Sequence, residues 1–179
     1  MNLTEALTDL LSDPGPHLIA IDGPAGSGKS TLAKEIYLYF STTREVNLLG
    51  LDDIYAGWEN ALGPKLTSDL ERLIRAHENQ ETLSIDIYNW ITSSFNEIRE
   101  IKAKEILIIE GVGSAQEITR AHKAISIWMD IDPEIGLQRV LERDGNHIAQ
   151  EMKAWQELQM QHFLESGARD NADFVITTE

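Results

Sequence analysis

The chain has 179 residues, 42% hydrophobic and 25% charged, with a formal net charge of −15 and no cysteine. That length and composition suit a globular protein with a packed core, exclude disulfides and thiolate metal sites, and weigh against nonspecific nucleic-acid binding, which needs a basic surface. No apolar run reaches the roughly 18 residues of a membrane span, and Met1-Asn2-Leu3-Thr4-Glu5 lacks the basic start and apolar core of a signal peptide, so a cytoplasmic protein is expected.

Residues 2–12 carry leucines at 3, 7, 10 and 11, a helical spacing, and Asp13-Pro14-Gly15-Pro16 ends that helix. Leu18-Ile19-Ala20-Ile21-Asp22 reads as the first strand. Leu32 to Phe40, with apolar residues at 32, 36, 39 and 40, reads as a helix. Between them lies Gly23-Pro24-Ala25-Gly26-Ser27-Gly28-Lys29-Ser30-Thr31, which fits G-x-x-x-x-G-K-[ST] in the strand–loop–helix setting that the pattern requires. The glycines let the backbone approach a ligand and turn its N–H groups toward anionic oxygens, at the positive end of the next helix. Lys29 is expected on the β- and γ-phosphates of a nucleotide, and the Ser30 hydroxyl on Mg²⁺. A polyanion held here needs this local positive focus, because the overall field repels it.

Val46 to Leu49 reads as a second strand, followed at once by Gly50-Leu51-Asp52-Asp53-Ile54-Tyr55-Ala56-Gly57-Trp58. Strands joined through one helix are usually parallel, and ligands of parallel sheets sit beyond the strands' carboxyl ends. Asp52 and Asp53 are therefore candidates for Mg²⁺ binding and general-base work, with a turn or helix cap as the alternative. Tyr55 and Trp58 are candidates to stack on a flat substrate ring, with burial in the core as the alternative.

Residues 60–104 depart from a simple alternation of strand and helix. Thr67-Ser68-Asp69 is expected to cap a helix carrying Leu70, Leu73, Ile74 and His77 and ending near Asn79; Leu83 to Tyr88 alternates as a strand does. Ile91, Phe95, Ile98 and Lys102 have helical spacing, yet Ser93-Ser94 suits a hairpin turn, and on the residues alone both stay open. The length of this stretch suggests an insertion covering the acceptor site.

Ile106-Leu107-Ile108-Ile109 is an unbroken apolar run, the pattern of a central parallel strand, and Glu110 places a third carboxylate at a strand end, a candidate for Mg²⁺ or its water shell. Ser114 is expected to cap a helix to about Lys123. Ile125 to Met129 is the next strand, and Asp132-Pro133 opens a helix reaching Arg143. Arg139 and Arg143 are four apart and share a face beside the break at Asp144-Gly145-Asn146. A closing lid that neutralises a transferring phosphoryl group is one reading; surface pairing with Glu134 or Glu142 is the other. Ile148 to Glu165 reads as a long helix with Met152, Trp155, Leu158, His162 and Phe163 on one side, stopped by Gly167. His147 and His162 read as structural. Asp173 to Thr177 is the last strand.

With these residues assembled, the chain resembles the P-loop kinases of the uridine kinase type, the group that also includes pantothenate kinase and phosphoribulokinase. The resemblance runs through the phosphate loop, Leu51-Asp52-Asp53-Ile54-Tyr55, Tyr88-Asn89-Trp90, Glu110-Gly111, Arg139-Val140-Leu141-Glu142-Arg143-Asp144 and Ala172-Asp173-Phe174-Val175-Ile176. It implies one α/β domain over 1–179: a three-layer P-loop fold with a mostly parallel sheet of about five strands, helices on both faces, an acceptor-covering insertion near 56–104 and a lid near 139–150. By the same resemblance Asp52 is the catalytic base, Ser30 and Glu110 serve the metal, and Arg139 and Arg143 contact phosphates. Tyr88 contacts the acceptor, and Asp53, Tyr55, Trp58 and Trp90 complete the expected substrate set. ATP is the implied donor, Mg²⁺ the cofactor and a small-molecule hydroxyl, of a nucleoside, the acceptor. The resemblance also favours a hairpin over residues 85–101.

The chain departs from such kinases in lacking an Asp-His-Pro-x-Ala-Phe-Asp segment between Gly57 and Asp69, and in carrying Asn89 and Gln138 where Asp and Arg are common. A nucleoside monophosphate kinase is one alternative, for which Lys65, Arg72, Arg75, Arg99, Lys102 and Lys104 supply cations. A nucleotide-binding regulatory module without a small-molecule acceptor is another, although the sequence holds no guanine-reading Asn-Lys-x-Asp segment.

Overall fold

The computed structural model describes residues 2–178; Met1 and Glu179, the ends of the expected domain, lie outside the described residues. In chain order the elements are α1 (Leu3–Leu10), β1 (His17–Asp22), α2 (Lys29–Phe40), β2 (Val46–Gly50), α3 (Gly57–Asn60), α4 (Pro64–Glu78), β3 (Thr82–Asn89), β4 (Ser94–Lys102), β5 (Ile106–Glu110), α5 (Glu117–Ala121), β6 (Ile125–Asp130), α6 (Pro133–Asp144), α7 (Ala149–Ser166) and β7 (Phe174–Thr177). Tight 3-10 turns occupy Leu51–Asp53 and Asn146–Ile148.

Five strands form one sheet in the order β2-β5-β1-β6-β7, and every pair is parallel. The apolar runs of β1 and β5 explain their central places: a strand covered on both faces needs apolar residues at successive positions. Ile19, Ile21, Ile106, Ile108, Ile127 and Met129 pack with Leu7 and Leu11 of the α1 segment and Ala33, Ile36 and Phe40 of α2. The alternate residues, among them Leu18, Ala20, Leu107, Ile109 and Trp128, pack with α4, α6 and α7 through Leu70, Leu73, Val140, Met152 and Trp155. This α/β three-layer arrangement sets the carboxyl ends of β1, β2 and β5 side by side, with Gly50 paired to Glu110 and Glu110 to Ile21.

The hairpin alternative holds for residues 82–102. β3 and β4 pair antiparallel as a separate two-stranded sheet. The helical spacing of Ile91, Phe95 and Ile98 misled because it marked no buried stripe: Ile91 is 95% exposed and Ile98 68%. Asn89 closes the turn by accepting from the N–H groups of Ile91 and Thr92.

Three other expectations need correction. The fourth helix starts at Pro64 after Gly63, so Thr67-Ser68-Asp69 lies inside its first turns and is not its cap; Asp69 is instead buried, accepting from Lys65 and Arg72. The fifth helix is only Glu117–Ala121 with Gln116 as cap, and Ser114 is fully buried in the preceding turn. In α2 the buried stripe is Ala33, Ile36 and Phe40, while Tyr39 is exposed. Asp132 does cap α6, accepting from the N–H groups of Glu134 and Ile135, with Pro133 in its first turn, and Gly167 does end α7 in a left-handed conformation. No helix of the described residues is long and apolar enough to cross a membrane.

Candidate active site

The phosphate loop leaves β1 and enters α2 through Gly23, Gly26 and Gly28, all at positive φ. Two of these glycines are fixed by crowding as well as by φ. A Cβ on Gly23 would run into the backbone of Met129 in β6, and one on Gly26 into the backbone of Gly136 in α6. The loop is thus pressed between its own helix and the first turn of α6.

Asp22, the last residue of β1, anchors this arrangement. Its side chain is fully buried and accepts N–H groups from Gly23 (2.7 Å), Gly113 (2.9 Å) and Ala115 (2.9 Å). Burial pushes its pKa up, and the three N–H donors and the Lys29 ammonium oppose that shift. The sequence reading gave it no role; the signal for it was a carboxylate closing an apolar strand immediately before the first loop glycine. Gln159 of α7 was missed in the same way. It is buried and accepts from the Ala25 N–H at 3.0 Å, tying the loop to the last long helix.

A cavity of about 420 Å³ opens in front of the loop. It gathers most of the predicted set: Lys29, Ser30 and Thr31 of the loop, Asp52 of the turn after β2, Glu110 at the end of β5, Arg139 and Arg143 of α6, and the rings of Tyr55, Trp58 and Trp90. Lys29 is buried and donates to the Pro24 carbonyl at 2.7 Å. Burial lowers its pKa, opposed by Asp22, Glu110 and Asp52. The Ser30 hydroxyl donates to Glu110 Oε1 at 3.0 Å, so the two residues expected to serve Mg²⁺ are in contact. Asp52 is reached by solvent through the cleft mouth but is ringed by protein atoms. That desolvation raises its pKa, with Lys29 and Arg143 pulling the other way. Glu110 is raised for the same first reason, again against Lys29.

Arg143 pairs with its neighbour Asp144 at 2.6 Å, and Arg139 donates to the Gly26 carbonyl at 3.4 Å. Glu142 accepts from the Gln138 side-chain amide at 2.7 Å. Asp144, Met152 and Trp155 also line the cavity, although spacing had marked them only as a helix break and a buried helix face.

Two predicted substrate residues stand elsewhere. Asp53 does not line the cavity and is paired with Arg99 of β4 at 2.6 Å. Tyr88 lies behind the wall, its ring against Trp90 and Phe95. Tyr55 is at the cavity but is almost wholly buried, its hydroxyl donating to the Val112 carbonyl at 2.7 Å. Its part is that of a wall.

The donor set suits Mg²⁺. That ion takes hard oxygens, few of them from protein, and keeps places for water and phosphate. A serine hydroxyl beside a desolvated carboxylate supplies such oxygens. Among the described residues no group of three or more His, Asp or Glu forms a metal cage of its own, so substrate oxygens would have to complete the shell.

Comparison with known proteins bears on the family and the fold. The family model described as "AAA domain" matches residues 19–159. A uridine kinase of Clostridium perfringens is 30% identical over 156 residues, covering 78% of this chain and 73% of the relative. One of Mycoplasma genitalium is 27% identical over 180 residues, covering 89% and 84%. In fold, the chain is similar to the solved structure of a possible uridine kinase from Bacillus stearothermophilus, with TM-score 0.71, 17% identity, and 97% and 96% of the two chains covered.

Proposed function

The chain belongs to the P-loop kinases of the uridine kinase type, and from that premise we propose that it transfers the γ-phosphoryl group of ATP to a hydroxyl of a small molecule, a nucleoside. The observation that carries this is the convergence of Lys29, Asp52, the Ser30–Glu110 pair and two arginines on one cavity. The acceptor class follows the relatives named uridine kinase.

In this reading the loop N–H groups and the Lys29 ammonium hold the β- and γ-phosphates. Lys29 exchanges its bond to the Pro24 carbonyl for phosphate oxygens. Asp52 accepts the acceptor's hydroxyl proton as the γ-phosphoryl departs, a role for which a carboxylate of raised pKa is better matched than an ordinary one. Arg139 and Arg143 neutralise the oxygens of the group in transfer, Arg143 by leaving Asp144. Ser30 and Glu110 would hold Mg²⁺, which would supply positive charge to the phosphate oxygens. Positioning and electrostatics carry most of such a reaction. A cytoplasmic setting belongs to the same proposal.

None of the six cations considered for a monophosphate acceptor lines the cavity. Lys65 and Arg72 are held by Asp69, Arg75 by Glu71 and Arg99 by Asp53. An acceptor without its own phosphate is therefore favoured. ATP consumption measured against a panel of nucleosides and other hydroxyl metabolites tests the proposal. Turnover with a nucleoside that is abolished in Asp52→Ala is expected; no turnover above that variant's background with any acceptor overturns it.

A further inference from the structure

Of the buried residues of α7, Met152, Trp155 and Gln159, only the last is polar. A buried amide is costly unless it finds a partner. The Gln159 side-chain oxygen finds one 134 residues earlier in the chain, accepting the Ala25 N–H at 3.0 Å. Three residues before it, Gln156 donates a side-chain N–H to the carbonyl of Pro133, the first residue of α6, at 2.9 Å. Two glutamines of one helix thus bond two different elements, the phosphate loop and the start of α6.

Those two elements meet at Ala25 and Gly26. A Cβ on Gly136 would stand 2.7 Å from the Ala25 carbonyl oxygen, and one on Gly26 would run into the Gly136 backbone. Arg139, three residues beyond Gly136, lines the cavity and donates to the Gly26 carbonyl at 3.4 Å. Loop, α6 and α7 therefore share one joint. Its contact between loop and α6 is made largely by backbone, and a side-chain bond ties it to α7.

We propose that Gln159 is a positioning residue: by holding the Ala25 N–H it fixes the phosphate loop against α6 and so registers Arg139 over the bound phosphates. This rests on the kinase reading above and extends it to a residue that does not line the cavity. An arginine that neutralises charge developing during transfer acts on kcat. Misplacing such a group by about 1 Å costs about 100-fold in rate. Loss of the tie should therefore appear in kcat, because the loop N–H groups and Lys29 are left to bind ATP.

The test is steady-state kinetics on Gln159→Met, which keeps the side chain's length and removes its oxygen. Its kcat should fall by about 10- to 100-fold, with KM for ATP within about threefold of the parent's. Gln159→Glu keeps an oxygen at the same reach and should restore most of the lost kcat. In an Arg139→Ala background, Gln159→Met should cost kcat about threefold or less, because the group it positions is gone. A merely structural role would carry the full loss into that background. Hydrogen exchange at the Ala25 amide, read by NMR without turnover, should quicken in Gln159→Met and return in Gln159→Glu. Parental kcat in Gln159→Met, a raised KM for ATP at unchanged kcat, an equal loss with and without Arg139, or unchanged Ala25 exchange overturns the inference while the kinase proposal stands. Gln156→Met, at a partly exposed position, loosens the same joint and should lower kcat in the same direction. It decides the matter if Gln159→Met melts below the assay temperature, and parental kcat there overturns the inference. Should the parent phosphorylate no acceptor, the kinase reading and the inference fall together.

Discussion

At the residue scale, the cavity depends on charges that are costly where they stand. Asp52 and Glu110 have raised pKa values because protein atoms displace their water, and Lys29 is lowered for the same reason. The consequences for pH have definite signs. Asp52 must be ionised to accept a proton, so kcat/KM should fall on acidification at a pH above the ordinary aspartate range. Lys29 must be protonated to bind phosphate, so the alkaline limb should begin below the ordinary lysine range. A pH profile of kcat/KM, which reports the free enzyme, should therefore be a bell narrowed from both sides. Stability runs oppositely to activity at Asp52. A carboxyl whose pKa is raised on folding favours the folded state while protonated, and that contribution is lost as pH rises through the raised value. Asp52→Asn should accordingly lower kcat by about 10²- to 10⁴-fold and yet raise the melting temperature of the ligand-free protein at neutral pH. A fall in both would mean that Asp52 stabilises the turn it sits in. Asp52 and Glu110 were legible in the sequence because each stands at the carboxyl end of a strand beside the phosphate loop, and Lys29 because it belongs to the loop's own pattern. Asp22 closes an apolar strand in the same way, but it is spent on backbone N–H groups from the loop after β5, 91 and 93 residues away, and no local pattern records such partners.

At the scale of elements, parallel strands and the phosphate loop announce themselves through unbroken apolar runs and glycine spacing, whereas the segment over the acceptor does not. β4 has hardly any buried side chain along its length, so periodicity had nothing to report there. What fixes the hairpin lies outside its own pattern: the Asn89 turn, the Arg99–Asp53 pair and the Trp90 bond to the Asp52 carbonyl. The hairpin thus holds the catalytic turn from above, and Trp90→Phe, which keeps the ring and removes the indole N–H, should lower kcat more than it raises KM. Contact between α6 and the loop was equally invisible, because it is made by backbone. A Cβ on Gly136 would stand 2.7 Å from the Ala25 carbonyl oxygen, closer than such atoms approach. Gly136→Ala should push α6 off the loop, costing about 1–3 kcal/mol of stability by overpacking and raising KM for ATP more than KM for the acceptor. Denaturant titration with separate substrate titrations would check both parts, and equal changes in the two KM values would count against a loop-specific effect.

For the whole molecule, the phosphate site draws on parts of the chain that are far apart in sequence. Ala25 is bonded to Gln159, the loop glycines are packed on β6 and α6, and Ser30 is bonded to Glu110. A ligand that bridges these parts binds only the folded chain, so it should stabilise the chain as a unit. At 100 times its dissociation constant such a ligand adds about 2.7 kcal/mol, which for a chain of this size corresponds to a rise of about 5–11 °C in melting temperature. ATP with Mg²⁺ should produce a shift of that order, and ATP with a chelator a smaller one, since the net charge of −15 leaves the triphosphate opposed by the overall field. The difference between the two shifts measures what the metal contributes through Ser30 and Glu110. Ser30→Ala should therefore abolish most of that difference while leaving the shift with ATP alone nearly intact, because the loop N–H groups and Lys29 are untouched. Thermal unfolding under the four conditions decides the matter: a Ser30→Ala protein that keeps the full metal-dependent increment would remove the hydroxyl from the metal site and leave Glu110 alone there.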